Sequence, residues 1–454
     1  MKADSPHLER TLTLWPLVLF GIAYVTPFIV LTTFGVFSEA SNGTLATAYG
    51  LATVAMIFTA FSYGKLARLY PRAGSAYTYA RRAIGGRVGF MTGWALLLDY
   101  LFLPMVVWLF GTAYLSNQFP EVPSWLFLLA FIVLTTTLNV IGIRVATRLN
   151  LALISFQVLI LAFFVVFSLD TVIGTSGVGG AFSADPFWNT TSTLSAVSAG
   201  AALTAYSFIG FDAVSTFAEE TVDPRRTVPR AIVMTAALAG LIFVLVAYSV
   251  QLVHPGGEFA NVDSAALDIA KEVGGDLFGA IFLATVIVQF TAGIPIQAAG
   301  ARLMYAMGRD GVLPPKVFAA VHPRFHTPFL NVLLTGAVGL LALVLTVTTS
   351  TSFINFGAFM GFAAVNIAVI AQYLRDRSQV QRSALSWVVQ PLIGLLVIGW
   401  LITNLDSKAL LLGVVWALIG FGWLLHLTRG FRVPPPELDL DAAEPDVRGA
   451  RSDG

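Results

Sequence analysis

Two carboxylates pose the chemical question. Asp99 and Asp212 are the only acids set inside otherwise apolar stretches, and no Lys or Arg lies deep in any such stretch to neutralise them. In a bilayer a charged side chain costs about 2.5–3.5 kcal/mol on insertion scales. An unpaired buried carboxylate either keeps its proton or waits for a cation from outside. That is the chemistry of proton-coupled or cation-binding transport. A plainer role stays open for each: Asp212 could cap a helix start, and Asp99 could bond a Ser or Thr on a neighbouring helix.

Beside Asp99 stands Tyr100, followed by Pro104. Proline cannot donate to the carbonyl four residues earlier, so the Tyr100 carbonyl is expected to be an open acceptor suited to an ammonium group. Tyr100, Pro104 and Trp108 share one helical face, with Asp99 about 100° away, which makes Tyr100 the favoured contributor. Its ring over a cation would be worth roughly 0.5–2 kcal/mol; simple packing between helices is the alternative.

Other chemistries lack their groups. His7, His254, His322, His326 and His426 lie at loops or span ends, and cysteine is absent. No HExxH, GxSxG or GxxxxGK[ST] motif is present. Hydrolase, protease and ATP-driven pump readings fail, and no enzyme activity, cofactor or metal is expected.

These residues are carried on membrane helices. Of 454 residues, 57% are hydrophobic and 11% charged, against roughly 25% charged in soluble domains; mean hydropathy is +0.80. Charge-free runs of the length that a bilayer requires, about 20 residues, predict spans near 12–36, 45–64, 88–117, 124–142, 149–169, 195–218, 231–253, 277–301, 328–348, 352–373, 386–404 and 409–428. A polar break at 346–352 separates the ninth and tenth, and residues 264–272 suggest a short amphipathic surface helix. With twelve spans, 24 of the 26 Lys and Arg fall on one side and only Lys271 and Lys408 on the other. Basic residues accumulate on the cytoplasmic side, so both termini are expected there. The tail after Pro434-Pro435-Pro436 is acidic and is expected to be disordered.

Two spans look broken. The first reads Gly21-Ile22-Ala23-Tyr24-Val25-Thr26-Pro27 at its middle, so Pro27 leaves the Ala23 carbonyl free. The sixth reads Tyr206-Ser207-Phe208-Ile209-Gly210-Phe211-Asp212 at a comparable place. Interruptions at matching places in two halves point to a transporter binding site. A kink at Pro27 and close packing at Gly210 are the alternatives.

The sequence resembles the amino acid–polyamine–organocation superfamily over roughly residues 10–430. The resemblance is carried by Pro71-Arg72-Ala73-Gly74-Ser75-Ala76-Tyr77, by Ala301-Arg302-Leu303-Met304-Tyr305-Ala306-Met307-Gly308-Arg309-Asp310-Gly311 and by Thr327-Pro328. Leu98-Asp99-Tyr100-Leu101-Phe102-Leu103-Pro104, Phe119-Pro120-Glu121-Val122-Pro123, Gly210-Phe211-Asp212-Ala213-Val214 and Ile354-Asn355-Phe356-Gly357-Ala358 are similar to its bacterial putrescine-importing, proton-symporting branch.

The resemblance implies an all-α membrane protein of twelve helices with a LeuT-like 5+5 inverted repeat. Repeat one spans about 12–169, repeat two about 195–373, and two further helices lie within 386–428. Residues 1–11 are expected to form a cytoplasmic N-terminal arm and 429–454 a disordered cytoplasmic tail, as the composition already suggests. It implies a substrate site at Ala23, Tyr24, Thr26, Tyr100, Tyr206, Ile209, Gly210, Asp212, Asn355 and Gly357, with Tyr206 as an aromatic lid and Asp212 or Asp99 coupled to protons. Two departures matter. The Gly-rich anion-holding turn usual in span 1 is replaced by Gly21 to Pro27 with Tyr24 inside it, which favours a substrate without a carboxylate. Gln157 stands where many relatives place a proton-carrying lysine. The expected partners are a small amine, protons and the inner-membrane bilayer, with no nucleic acid. The expected function is proton-coupled import of putrescine or a related polyamine; a proton-coupled amino-acid permease is the runner-up, and a channel or membrane enzyme the different-class alternative.

Overall fold

The computed structural model describes residues 11–71, 76–141, 147–218, 220–290, 293–378 and 380–437. The 72–75 part of the loop motif, the start of the N-terminal arm and the tail beyond 437 lie outside these. Helices follow one another throughout: α1 (Leu14–Val25), α2 (Ile29–Thr32), α3 (Phe34–Ala40), α4 (Leu45–Leu69), α5 (Ala76–Ala83), α6 (Gly86–Gln118), α7 (Ser124–Ile141), α8 (Thr147–Gly180), α9 (Leu194–Thr204) and α10 (Pro224–Val253). Then come α11 (Ala265–Phe290), α12 (Gly293–Arg309), α13 (Pro315–Phe318), α14 (Phe329–Gly339), α15 (Val347–Asp376), α16 (Gln390–Thr403) and α17 (Ser407–Leu427).

Among the described residues eleven helical segments are long and apolar enough to cross a bilayer. A twelfth apolar segment, Phe329–Leu343, is shorter: eleven α-helical residues followed by four in 3-10 form, roughly 24 Å of helix against a hydrocarbon core of about 30 Å. Its successor α15 starts at Val347, capped by the Thr346 hydroxyl accepting from the Thr349 amide at 3.2 Å. The polar run expected as a break at 346–352 is thus mostly helix: Thr351 bonds back to the Val347 carbonyl at 2.8 Å, and Thr349 donates to Asp406 Oδ1 at 3.1 Å.

The helices sort into inner and outer. Residues in the membrane window are 78% buried in α15, 67% in α6 and 72% in the segment Leu194–Phe217, but only 17% in α17. Leu411 and Leu418 on α17 are about two-thirds exposed, which suits a face turned to lipid. Asp99 and Tyr100 on α6, Tyr206 and Asp212 within Leu194–Phe217, and Asn355 on α15 therefore sit on the innermost elements, while Tyr24 on α1 is about half exposed. The expected surface helix is present as the start of α11, which turns at Gly275 before continuing inward.

Both expected breaks are real. At the first, Thr26 takes a left-handed conformation (φ 52°) between α1 and α2, where Pro27 disfavours helix for the residue before it. At the second, α9 gives way to 3-10 turns Ala205–Phe208 and Phe211–Phe217, hinged at Gly210 with φ 103°. The two are also tied at their ends: residues 11–12 pair with 220–222, with the Thr11 amide donating to Glu220 and the Val222 amide to Leu12, each at 2.9 Å.

Residues 429–437, expected to be part of a disordered tail, instead lie against the loop side of α5 and α6. The Arg87 guanidinium donates to the Phe431 carbonyl at 3.0 Å and stacks over that ring, and Arg81 pairs with Glu437 at 3.2 Å. Arg81 of α5 and Arg87 of α6 thus hold a segment that has no apolar pattern of its own.

Candidate functional site

The two breaks meet. The Tyr24 ring, on the last turn of α1, rests on the bare Cα of Gly210: a Cβ there would lie 2.4 Å from Tyr24 Cδ1. Around this contact is a cavity of about 100 Å³, room for about three waters at roughly 30 Å³ each. Tyr24 and Thr26 line it from the first break, Tyr206, Ser207 and Ile209 from the second, and Leu103, Val107 and Phe110 from α6. No Lys, Arg or His lines it.

Asp99, Tyr100 and Asp212 are half-buried and are not among the residues that line it. Tyr24 lies within electrostatic reach of both Asp212 and Asp99, and Tyr100 of Tyr24 and both acids. The Tyr63 hydroxyl donates to Asp212 Oδ2 at 3.0 Å, whereas Asp99 Oδ1 is buried with no hydrogen-bond partner. Neither acid has a basic partner among the described residues.

Several sequence expectations need correction. The Ala23 carbonyl is not free: the Thr26 hydroxyl donates to it at 3.2 Å, since a threonine three residues on can replace the donor that proline lacks. The Tyr100 carbonyl is covered by α12, where a Cβ on Gly300 would lie 2.5 Å from it. Trp108 is fully buried against Gly293 and Gly339, so the Tyr100–Pro104–Trp108 face does not form the cavity wall. That wall is the 103/107/110 face, which at about 100° per residue lies between Asp99 and Tyr100. Both residues therefore flank the site.

Asn355 and Gly357, assigned to the site by resemblance, do not line this cavity. The Asn355 amide donates to the Ala202 and Leu203 carbonyls at 2.8 and 3.3 Å, where α9 ends. Gly357 sits against the Ala95 carbonyl of α6, at 2.7 Å from a Cβ placed on it. Sequence reading missed Tyr63, Ser207 and Gln289. Gln289 lines the cavity and its amide oxygen is buried without a partner; a lone amide in an apolar span was the available signal. Gln157 is also buried, its amide oxygen without a partner.

Few amides are left to hold a carboxylate at the first break. The Thr26 N–H is spent on the Ile22 carbonyl at 3.2 Å, Pro27 has none, and the Ile29 N–H goes to Thr26 at 2.9 Å. Among the described residues no three His, Asp or Glu side chains converge as a metal site would require.

The family profile for amino acid permeases matches residues 12–436. The chain is 39% identical to the low-affinity putrescine importer PlaP of Escherichia coli over 438 residues, covering 95% of this chain and 97% of that one. It is 28% identical to the branched-chain amino acid permease BcaP of Bacillus subtilis over 452 residues, and 27% to the methylthioribose transporter of that bacterium over 443, in each case covering 92% of this chain and 93% of the other. This chain belongs to the amino acid permease family, and it is a multi-pass membrane protein.

Proposed function

We propose that this protein imports a small organic cation, putrescine or a related polyamine, across the plasma membrane by proton symport with alternating access. One observation carries the reading: two carboxylates and the rings of Tyr24 and Tyr100 gather where two broken helices meet, with no basic side chain at the cavity. The amine gains charge and ring contacts, while a substrate carboxylate finds few amides at the first break. The 39% identity to a putrescine importer supports the same substrate class.

In this reading Phe329–Leu343 completes a twelve-helix, 5+5 inverted-repeat transporter with both termini cytoplasmic. Tyr206 and Ile209 close over the amine from the second break, while Tyr24 and Thr26 hold it from the first. Asp212 or Asp99 exchanges the coupled proton.

The second reading, a proton-coupled amino-acid permease of the same fold, is favoured by the full-length likeness to a branched-chain amino acid permease. Competition for uptake in proteoliposomes separates them. Ornithine differs from putrescine by one carboxylate, and leaving that group poorly paired costs about 1–3 kcal/mol, or roughly 5- to 150-fold in affinity. Putrescine should compete better by that factor; a neutral amino acid or ornithine outcompeting it overturns the polyamine reading.

A further inference from the structure

Threonines inside these helices normally donate to the carbonyl four residues back, as Thr92, Thr135, Thr285 and Thr335 do at 2.8–2.9 Å. Thr112 and Ser116, on successive turns of α6, do not. Both hydroxyls are buried without a hydrogen-bond partner, and Thr112 as a whole is only 7% exposed. Both line a second cavity of about 290 Å³, larger than the central one at about 100 Å³.

That cavity is on the other side of α6. Positions 109, 112, 113 and 116 form its wall, whereas 103, 107 and 110 form the wall of the central cavity; at about 100° per residue the two faces lie well apart around the helix. Trp125 of α7, with Asn261 and Asp263 from the segment before α11, completes it, and no Lys, Arg or His lines it. Asp263 is exposed and forms no ion pair among the described residues. In the twelve-span arrangement the segments on its side (37–44, 119–123, 170–193, 254–276 and 404–408) carry ten acids against two lysines. Such a field raises the local concentration of cations.

We propose that this outer cavity is a second binding site for the ammonium group of a small organic amine. The Asp263 carboxylate takes its charge, the idle oxygens of Thr112 and Ser116 accept its N–H groups, and Trp125 offers a ring face. The inference rests on the amine reading of the central site, and its test keeps the two separate.

The chain has no cysteine, so one introduced thiol reports on one place. Ser116→Cys reports on the outer cavity, with Ser124→Cys at its exposed edge as a second reporter, and Ile209→Cys reports on the central one. Each is reconstituted in phosphatidylglycerol liposomes, whose headgroup has no ammonium, and its reaction with a small maleimide is timed with and without putrescine. Putrescine should slow the reaction at 116 and 209. Adding Asp263→Asn should raise the half-protecting concentration at 116 roughly tenfold and leave 209 unchanged. Protection at 209 without protection at 116 or 124 overturns the outer site and leaves the proposed function standing. Protection at 116 that survives Asp263→Asn means relay from the central site and also overturns it. Protection at 116 alone supports the outer site while removing the central reading, and protection nowhere removes both. Protection at 116 by phosphatidylethanolamine without putrescine supports the same ammonium site with a lipid headgroup as its occupant.

Discussion

The Cδ1–Cε1 side of the Tyr24 ring packs against the bare Cα of Gly210, and this pair joins the two helix breaks. Gly210 stands at φ 103°, and a Cβ added there would fall 2.4 Å from the ring. Gly210→Ala adds the left-handed penalty of roughly 1–2 kcal/mol to an overpacking cost of about 1–3 kcal/mol. Uptake should fall at least tenfold in protein that still purifies as a folded species. Near wild-type uptake would show that the contact is dispensable.

Asp212 is held by Tyr63 at 3.0 Å. Asp212→Asn keeps the size and removes the exchangeable proton, so pH-gradient-driven accumulation of putrescine should vanish while binding remains measurable. Tyr63→Phe keeps the carboxyl and should displace the pH dependence of uptake without abolishing it. Accumulation at wild-type level in Asp212→Asn would transfer the proton role to Asp99.

Asn355 bonds the carbonyls of Ala202 and Leu203 from a fully buried position. Asn355→Ala leaves those acceptors with fewer partners, at a cost of about 1–3 kcal/mol. The expected result is a lowered thermal midpoint with little change in the relative affinities of putrescine and ornithine. A change in selectivity without destabilisation would place Asn355 in contact with substrate.

Sidedness can be read in the cysteine-free background. Asp185→Cys should react with an impermeant thiol reagent in intact cells, and Arg324→Cys only after the membrane is opened. The reverse pattern would invert the topology inferred from 24 basic residues on one side.

Local chemistry made much of this architecture legible. Pro27 and Gly210 mark the breaks because their effects act within one turn, and charge-free runs mark the helices. The face of α6 that meets the cavity was not legible, because it depends on where Gly300, Gly293 and Gly339 let other helices approach Tyr100 and Trp108. Nor was the Tyr63–Asp212 bond, whose partners are 149 residues apart. Apolar periodicity says little about facing in a span surrounded by lipid or helix on all sides. The fate of a freed carbonyl was equally hidden: Thr26 fills one locally and Gly300 covers the other from a distant helix.

The short pairing of residues 11–12 with 220–222 ties the segment ahead of α1 to the one that follows the second break. Thr11 and Leu12 are hydrogen-bonded to the segment that leaves the second break, so in the alternating-access reading α1 and the turn carrying Asp212 move as one plate with pivots at Thr26 and Gly210. A bulky fusion attached just ahead of Thr11 is thereby bolted to that plate rather than to a passive end. A fluorophore placed there would report the plate's tilt, and tethering it to a bead or surface would load the transport cycle with torque.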